Sequence, residues 1–245
     1  MSYTRAQYQA VTEKVSSGAD MLGGKIGDLA GACSAALGSW WIPGFVKDAV
    51  SWLCQKIIDM AESLWRKIVD LLKGAAAPAY MFEYAYEWAS VRGTASTVAG
   101  ELTLPVVGIS KDWKGAAATA YSATVPPQSS AASQIATISA QTATALTTCA
   151  AAATLFYLTL GVIVFQAIAA LTAAAIALGS LVFSWAGIVM AVGEISVSSG
   201  LVVAAVSTLT ALLGAQAAQM ATLHGAAVDN TSFPGGHWPR ATAGI

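Results

Sequence analysis

The chain has 245 residues, of which 56% are hydrophobic and only 10% are charged. An ordinary soluble domain carries about 25% charged residues, and a chain this apolar collapses instead of staying disordered in water. The 12 Lys+Arg against 13 Asp+Glu leave a net charge of −1, which excludes a nucleic-acid binder that works through a basic surface.

The few charges are distributed unevenly along the chain. Residues 1–114 hold 22 of the 25 charged residues, and the 79 residues between Lys114 and Glu194 hold none. The two halves of the sequence therefore favour different surroundings, and the second half predicts contact with lipid or with other apolar helices.

The amino-terminal region predicts a pair of helices, of which the first covers residues 5–37. The opening residues are polar for too long to form a secretory signal peptide, so we expect no export through a cleaved leader. Residues 5–37 contain no proline, and Gly23, Gly27 and Gly31 recur every four residues on one helical face. Small residues at this spacing predict close packing against another helix.

A second helix is predicted between Pro43 and Lys73, because Pro43 is a favourable first residue and Gly74 a favourable stop. Apolar residues recur along it at spacings of four and three, which is typical of an amphipathic helix with a coiled-coil-like seam. The seam consists of Val46, Val50, Leu53, Ile57, Met60, Leu64, Ile68 and Leu71. The charged opposite face fits a soluble bundle, while nearby tryptophans leave open a helix that lies on a membrane surface.

The three cysteines show no metal-ligand spacing. A hairpin that turns near residue 40 would leave Cys33 and Cys54 roughly 9 Å out of level at a rise of about 1.5 Å per residue. We therefore predict buried free thiols at Cys33, Cys54 and Cys149, without a disulfide.

Residues 78–100 contain a cluster of aromatic side chains, which predicts a third helix packed against a neighbour. The cluster consists of Tyr80, Phe82, Tyr84, Tyr86 and Trp88. A ligand-binding aromatic box is the alternative interpretation. Pro105, Gly108 and Ser110 predict a turn after this helix.

A Trp-x-Gly sequence at Trp113 and Gly115 follows the predicted turn, and small residues through Ala120 and then Tyr121 come after it. Glycine allows the chain to enter a tight connection between helices, and the indole can close the gap between the two arms. Over residues 78–170 the chain resembles the WXG100-like proteins of actinobacterial type VII (ESX) secretion, whose helical hairpins turn at such a motif.

The resemblance implies a two-helix hairpin, a link to secretion, and site residues Trp113, Gly115 and Tyr121. The family usually carries a Tyr-x-x-x-Asp/Glu signal, and no tyrosine of this chain has an acidic residue four positions later. The resemblance therefore implies a second WXG-type chain that supplies the signal. Within the second arm, Pro126 and Pro127 predict a break, after which an Ala-, Ser- and Thr-rich helix reaches about residue 148.

Two apolar stretches in the second half are each long enough to cross a hydrocarbon layer of about 30 Å as a helix. They cover residues 150–171 and 175–193, and a weaker third stretch covers 195–213. We predict breaks between these helices at Gly179-Ser180 and at Gly193-Glu194.

The sequence is compatible with three arrangements of these apolar stretches. They form a permanently integrated helical hairpin, or they are buried inside a helical homo-oligomer, or they insert reversibly as in helical pore-forming proteins. In each case we expect certain side chains to contact lipid or another subunit. These are Phe156, Tyr157, Phe165, Phe183, Trp185 and Glu194.

Catalytic and metal-binding patterns are absent from the sequence. His224 and His237 are the only histidines, and neither lies in a nucleophile, zinc or dinucleotide-binding motif. We therefore predict that the chain is no enzyme and takes no metal, no cofactor, no nucleic acid and no small-molecule substrate.

Together these observations predict an all-α protein with four regions: a helical pair (1–77), a Trp-x-Gly hairpin (78–148), an apolar helical region (149–228) and a flexible tail (229–245). By resemblance, the predicted function is a non-enzymatic type VII secretion-associated protein with lipid or identical subunits as partners. We expect it in a membrane or cell envelope, or secreted without a cleaved signal peptide. The alternative is a helical pore-forming or integral membrane protein unconnected with that pathway.

Overall fold

The structure is a computed structural model that describes residues 4–39, 44–103, 113–179 and 185–240. Regular structure in these residues is helical, and they contain no strand. The helices are α1 (Arg5–Gly38), α2 (Gly44–Leu72), α3 (Ala77–Glu101), α4 (Ala116–Gly179) and α5 (Trp185–Val228), followed by a 3-10 turn at Pro234–Gly236. The predicted all-α class is confirmed.

Local sequence signals account for the helices of the first half. Thr4 begins α1 with a capping box: its hydroxyl accepts from the Gln7 N–H, and the Gln7 side chain accepts from the Thr4 N–H. The helix predicted between Pro43 and Lys73 is confirmed as α2, although Pro43 itself lies outside the described residues. The turn predicted at residues 105–110 also lies outside them.

The helix break predicted at Pro126 and Pro127 is wrong, because α4 continues through both residues. A proline inside a helix costs about 3 kcal/mol or more, since it removes a backbone donor and crowds the preceding turn. Val125 and Ala131, on either side of the pair, are almost completely buried. Packing on both sides therefore stabilises one continuous helix across the prolines.

The break predicted at Gly193-Glu194 is also wrong. α4 ends at Gly179, as expected, but α5 continues through Gly193 and Glu194. A glycine inside a helix costs only about 1 kcal/mol, and its neighbours Ala191 and Ile195 are buried. The burial of these neighbours outweighs the cost of the glycine.

The chain divides into two compact units. Unit 1 comprises Met1–Ala79 and Ala151–Ala211, and unit 2 comprises Tyr80–Ala150 and Leu212–Ile245. Unit 1 thus contains α1 and α2 with the second part of α4 and the first part of α5. Unit 2 contains α3 from Tyr80 onward, the first part of α4, and the end of α5 with the tail.

In unit 1, α1 and α2 pack together, and the buried residues of α2 recur at spacings of three and four. The main buried residues are Tyr8, Val15, Leu22, Leu29 and Cys33 on α1, and Val50, Cys54, Ile57, Ala61, Leu64 and Ile68 on α2. Four of the α2 residues belong to the predicted seam. Leu53 and Met60 are only half-buried, because the neighbouring small residues Cys54 and Ala61 face α1 and allow the two helices to approach closely.

Cys33 and Cys54 form a disulfide with their Cα atoms 6.1 Å apart, so the prediction of free thiols at these two positions is wrong. That prediction assumed a helical rise on both sides of a turn at residue 40. α1 ends at Gly38, and Ser39 is already extended, so the rise of about 1.5 Å per residue does not apply across the connection. Cys149 is a free, half-buried thiol.

The glycine face predicted on α1 packs closely at one of its three positions. A Cβ added to Gly23 would lie 3.3 Å from Trp65 Nε1, whereas one added to Gly27 or Gly31 would have nothing within 4 Å. The prediction is therefore wrong for Gly27 and Gly31, which are exposed. Each step of four residues rotates the helical face by about 40°, which turns these two glycines progressively away from α2.

Two other glycines allow α1 to pack closely against α4 within unit 1. A Cβ added to Gly18 would lie 2.8 Å from Val164 Cγ1, and one added to Gly161 would lie 3.4 Å from Val15 Cγ2. Val15 of α1 meets Gly161 of α4, and Gly18 meets Val164 three residues later on both helices. The two helices therefore run in the same direction.

Tyr8 and Tyr157 join both of these helices to the end of α2. The Tyr8 hydroxyl donates to the Ala75 carbonyl at 2.5 Å, and the Tyr157 hydroxyl donates to the Leu71 carbonyl at 2.8 Å. The two rings meet edge to face with centroids 5.8 Å apart. Burial raises the pKa of Tyr8 above its ordinary value. Carbonyls at a helix end lack full intrahelical pairing. The Leu71 carbonyl accepts from the Gly74 N–H at 3.3 Å, and the two tyrosine hydroxyls add bonds to this carbonyl and to that of Ala75, just after α2.

Alanine substitutions at Gly18 and Gly27 are expected to change the free energy of unfolding of unit 1 in opposite directions. Ala at position 27 should stabilise unit 1 by about 0.5–1 kcal/mol, because glycine is unfavourable inside a helix. Ala at position 18 brings the same gain but presses on Val164, whose branched side chain is stiff, and overpacking costs about 1–3 kcal/mol. Urea unfolding followed by circular dichroism should rank Gly18→Ala below Gly27→Ala. Equal stabilities would contradict the close contact between α1 and α4.

The described part of the tail in unit 2, residues 229–240, lies against α4, and the predicted flexibility of residues 229–245 stays a prediction. Gln128 Nε2 donates to the Pro239 carbonyl at 3.2 Å, and Gln134 Nε2 donates to the Asp229 carbonyl at 3.0 Å. The Phe233 and Trp238 rings lie 6.2 Å apart. Residues 229–240 are thus held by amide side chains of α4, and residues 241–245 lie outside the described part.

Candidate functional site

The Trp-x-Gly motif forms a small cluster at the start of α4. Gly115 has a φ of +112°, in the region that favours glycine, and its carbonyl accepts from the Thr119 N–H at 3.1 Å to begin the helix. The exposed Trp113 ring lies 5.7 Å from the Tyr121 ring. The three residues singled out in the sequence are therefore brought together.

The helices before and after this motif contact each other in unit 2. Ser129 Oγ of α4 donates to the Ala99 carbonyl of α3 at 2.8 Å. α3 buries the small residues Ala85 and Ala95 and exposes most of its aromatic residues, namely Tyr80, Tyr84, Tyr86 and Trp88. The prediction of aromatic core packing is wrong, because the alanine face of α3 is the one turned inward.

An exposed apolar stripe runs along α4 in unit 1. Its members recur every three or four residues and are Leu155, Leu158, Val162, Phe165, Ala169, Ala173 and Ile176, which we call the α4 stripe. Phe165 is 73% exposed. From Leu155 to Ile176 the helix rises about 32 Å, which matches a hydrocarbon core of about 30 Å.

The opposite face of α4 is also apolar but is buried inside unit 1. Phe156 and Tyr157, predicted as membrane or subunit contacts, are both buried, and their ring centroids lie 5.1 Å apart. The prediction is therefore wrong for these two residues. The helix is apolar on both faces, and contacts within unit 1, such as that of Tyr157 with Tyr8 on α1, cover only one of them.

The remaining predicted contact residues have mixed positions. Phe165 belongs to the α4 stripe, and Glu194 is exposed on α5. Phe183 and the side chain of Trp185 lie outside the described part of the chain. In unit 1 α5 buries a narrow face of Ala191, Ile195, Ser198 and Val202 and exposes the larger apolar residues Val189, Met190, Val197, Leu201 and Val203.

Two helical segments are long and apolar enough to cross a membrane, judged by length and composition. Ala116–Gly179 contains an 18-residue window with a mean hydropathy of 2.2, of which 39% is buried, and Val189–Val228 contains one with 1.9, of which 22% is buried. An apolar helix in the core of a soluble protein is mostly buried. Less than half of each window is buried within the described residues, so both helices keep apolar surface that a membrane or another apolar surface can contact.

Six members of the α4 stripe were not among the predicted contact residues, namely Leu155, Leu158, Val162, Ala169, Ala173 and Ile176. Their spacing of three and four residues was a usable signal. The same spacing also describes the buried residues Phe156, Leu160 and Ile163, so periodicity alone does not tell which face stays open.

No protein-family model, curated protein or solved structure matches this chain. Within the described residues no group of three or more His, Cys, Asp or Glu side chains is placed to hold a metal ion. The α4 stripe and the Trp113 cluster are thus the candidate sites, and a function has to be inferred from their own geometry.

Proposed function

We propose that this chain is a non-enzymatic structural protein that contacts a membrane through the α4 stripe. The single observation that carries the proposal is an uninterrupted exposed apolar surface about 32 Å long, on a helix, Ala116–Gly179, without a charged residue. Each large apolar side chain moved from water to lipid contributes about 1.5–3 kcal/mol. Several such residues along one face favour the membrane strongly.

A second copy of the chain could cover the same stripe in a helical oligomer. Because α1 runs beside α4 and exposes charged residues such as Lys14 and Asp20 at the same level, we propose that lipid covers only the α4 stripe and that unit 1 does not span the bilayer as a whole.

Flotation of the full-length chain with zwitterionic phosphatidylcholine vesicles tests the proposal. We expect the chain to rise with the vesicles and to stay bound in high salt, because an apolar contact is not screened by ions. A chain that remains at the bottom of the gradient as a uniform soluble oligomer would contradict membrane contact and assign the stripe to a subunit interface.

We also propose that the chain is exported by a type VII pathway together with a partner chain. The Trp113 cluster at the connection between α3 and α4 supports this proposal. So does the Cys33–Cys54 disulfide, because disulfides persist in oxidising compartments outside the cytosol.

Export is expected to depend on the backbone at Gly115. Gly115→Ala forces a Cβ into a conformation with positive φ, which costs about 1–3 kcal/mol and disturbs the turn. We expect several-fold less protein in the culture medium of the producing cell, measured against a cytosolic lysis marker. Gly93→Ala is the control, since Gly93 lies exposed in α3 with nothing within 4 Å of an added Cβ. Equal export of the two variants would remove the support that the motif gives to this pathway.

A further inference from the structure

An apolar groove lies between α1 and α4 within unit 1. Its volume is about 440 Å³, within the range of about 300–1,000 Å³ that is common for small-molecule sites. Gly18 and Gly161 line it without contributing side chains, and the exposed residues Met21 and Phe165 stand at its rim. The groove is partly open to solvent and is lined mainly by carbon.

The dimensions of the groove fit one acyl chain. Its lining runs from Ala10 to Met21 on α1 and from Tyr157 to Ile168 on α4, and each segment rises about 16 Å. Because the two helices run in the same direction, the groove has about this length. A hydrocarbon core of about 30 Å leaves about 15 Å for the acyl chain of one leaflet. From Lys14 to Met21 the wall rises about 10 Å, so the groove covers about two thirds of such a chain when the chain begins at Lys14.

Lys14 is the one charged side chain among the residues that line the groove, and no carboxylate is among them. It lies one helical turn from Ala10, near one end. A lysine can lay its carbon stem along an apolar surface and hold its ammonium group at the edge. An acyl chain that ends in an anion complements this arrangement of a long apolar wall with one cation near its end.

We infer that the groove binds one long-chain fatty acid, with its carboxylate at Lys14 and its hydrocarbon chain directed toward Met21. A fatty acid has one chain and one negative charge, which match one groove and one lysine. A phospholipid would leave its second chain outside the groove. The inference goes beyond the proposed membrane contact, although Leu158, Val162 and Phe165 belong to both surfaces.

Displacement of a fluorescent polyene fatty acid from the full-length chain, held in a non-ionic steroid detergent, tests the inference. We expect saturable binding of one probe per chain and displacement by palmitate. Lys14→Glu should weaken palmitate binding about tenfold, while the uncharged methyl ester of palmitate should bind both forms equally. Lys67→Glu, on the exposed face of α2, is the matched control and should bind palmitate like the unaltered chain.

A second variant separates this site from the α4 stripe. Val11→Trp fills the groove from α1 and leaves α4 unaltered, so it should abolish binding of both the acid and the ester while flotation with vesicles persists. Loss of flotation with fatty-acid binding intact would overturn the membrane proposal alone. The fatty-acid site is overturned if palmitate displaces no probe, if Lys14→Glu behaves like Lys67→Glu, or if only phospholipids displace the probe.

Discussion

Phe165→Asp is expected to release the chain from vesicles while leaving the fold intact. The Phe165 side chain is 73% exposed, so the substitution leaves the core of unit 1 unchanged. In the membrane-bound state it removes a contribution of about 1.5–3 kcal/mol and adds a charge that costs about 2.5–3.5 kcal/mol in the hydrocarbon. Flotation should show at least about a hundredfold weaker partitioning, with an unchanged circular dichroism spectrum in buffer.

Thr147→Asp is the matched control for this experiment. It places the same charge at an exposed position of the same helix, outside the α4 stripe, and should float like the unaltered chain. If both variants float equally well, the stripe is not the membrane contact. If Phe165→Asp instead converts an oligomer into monomers without any change in flotation, the stripe joins subunits.

Removal of the Cys33–Cys54 disulfide is expected to destabilise unit 1 by about 3 kcal/mol. The bond joins residues 21 positions apart, and closing a loop of this size restricts the unfolded chain by about that free energy. The double variant Cys33→Ala with Cys54→Ala should therefore unfold at a lower urea concentration. A dithiol reductant should destabilise the unaltered chain by a similar amount and have no such effect on the double variant.

Cys149→Ala is the control for the disulfide, because Cys149 is a free thiol on α4. Its loss should change the free energy of unfolding by less than about 1 kcal/mol. Alkylation of the denatured, unreduced chain gives an independent measurement and should label one thiol. Labelling of three thiols would contradict the disulfide.

The elements of the amino-terminal half could be predicted because their residues differ in polarity around the helix. In α2 the apolar residues Val50, Ile57 and Leu64 alternate with charged ones, so the buried face follows from the sequence. In α4 Phe156 and Phe165 are equally apolar, yet one is buried and the other exposed. A helix that is apolar all round gives no signal for the direction of its neighbours.

The contacts that define the candidate sites depended on the packing of distant segments. Gly18 faces Val164 and Gly161 faces Val15, and no pattern within α1 or α4 alone indicates that the two helices run together. The groove beside Lys14 could not be predicted for the same reason. Gly115 was recognisable because a positive φ is a local property that glycine tolerates best.

The hydroxyl bonds at the end of α2 make that end depend on remote parts of the polypeptide. The Ala75 carbonyl accepts from the hydroxyl of Tyr8, 67 positions earlier, and the Leu71 carbonyl accepts from the hydroxyl of Tyr157, 86 positions later. A nascent chain that has emerged only as far as Ala75 has the local bond from the Gly74 N–H to the Leu71 carbonyl but lacks the Tyr157 donor, so this end gains its full set of hydrogen bonds only after Tyr157 has been synthesised and docked. Unit 1 therefore folds cooperatively and late in synthesis, because the α1–α2 hairpin is completed by contacts with α4.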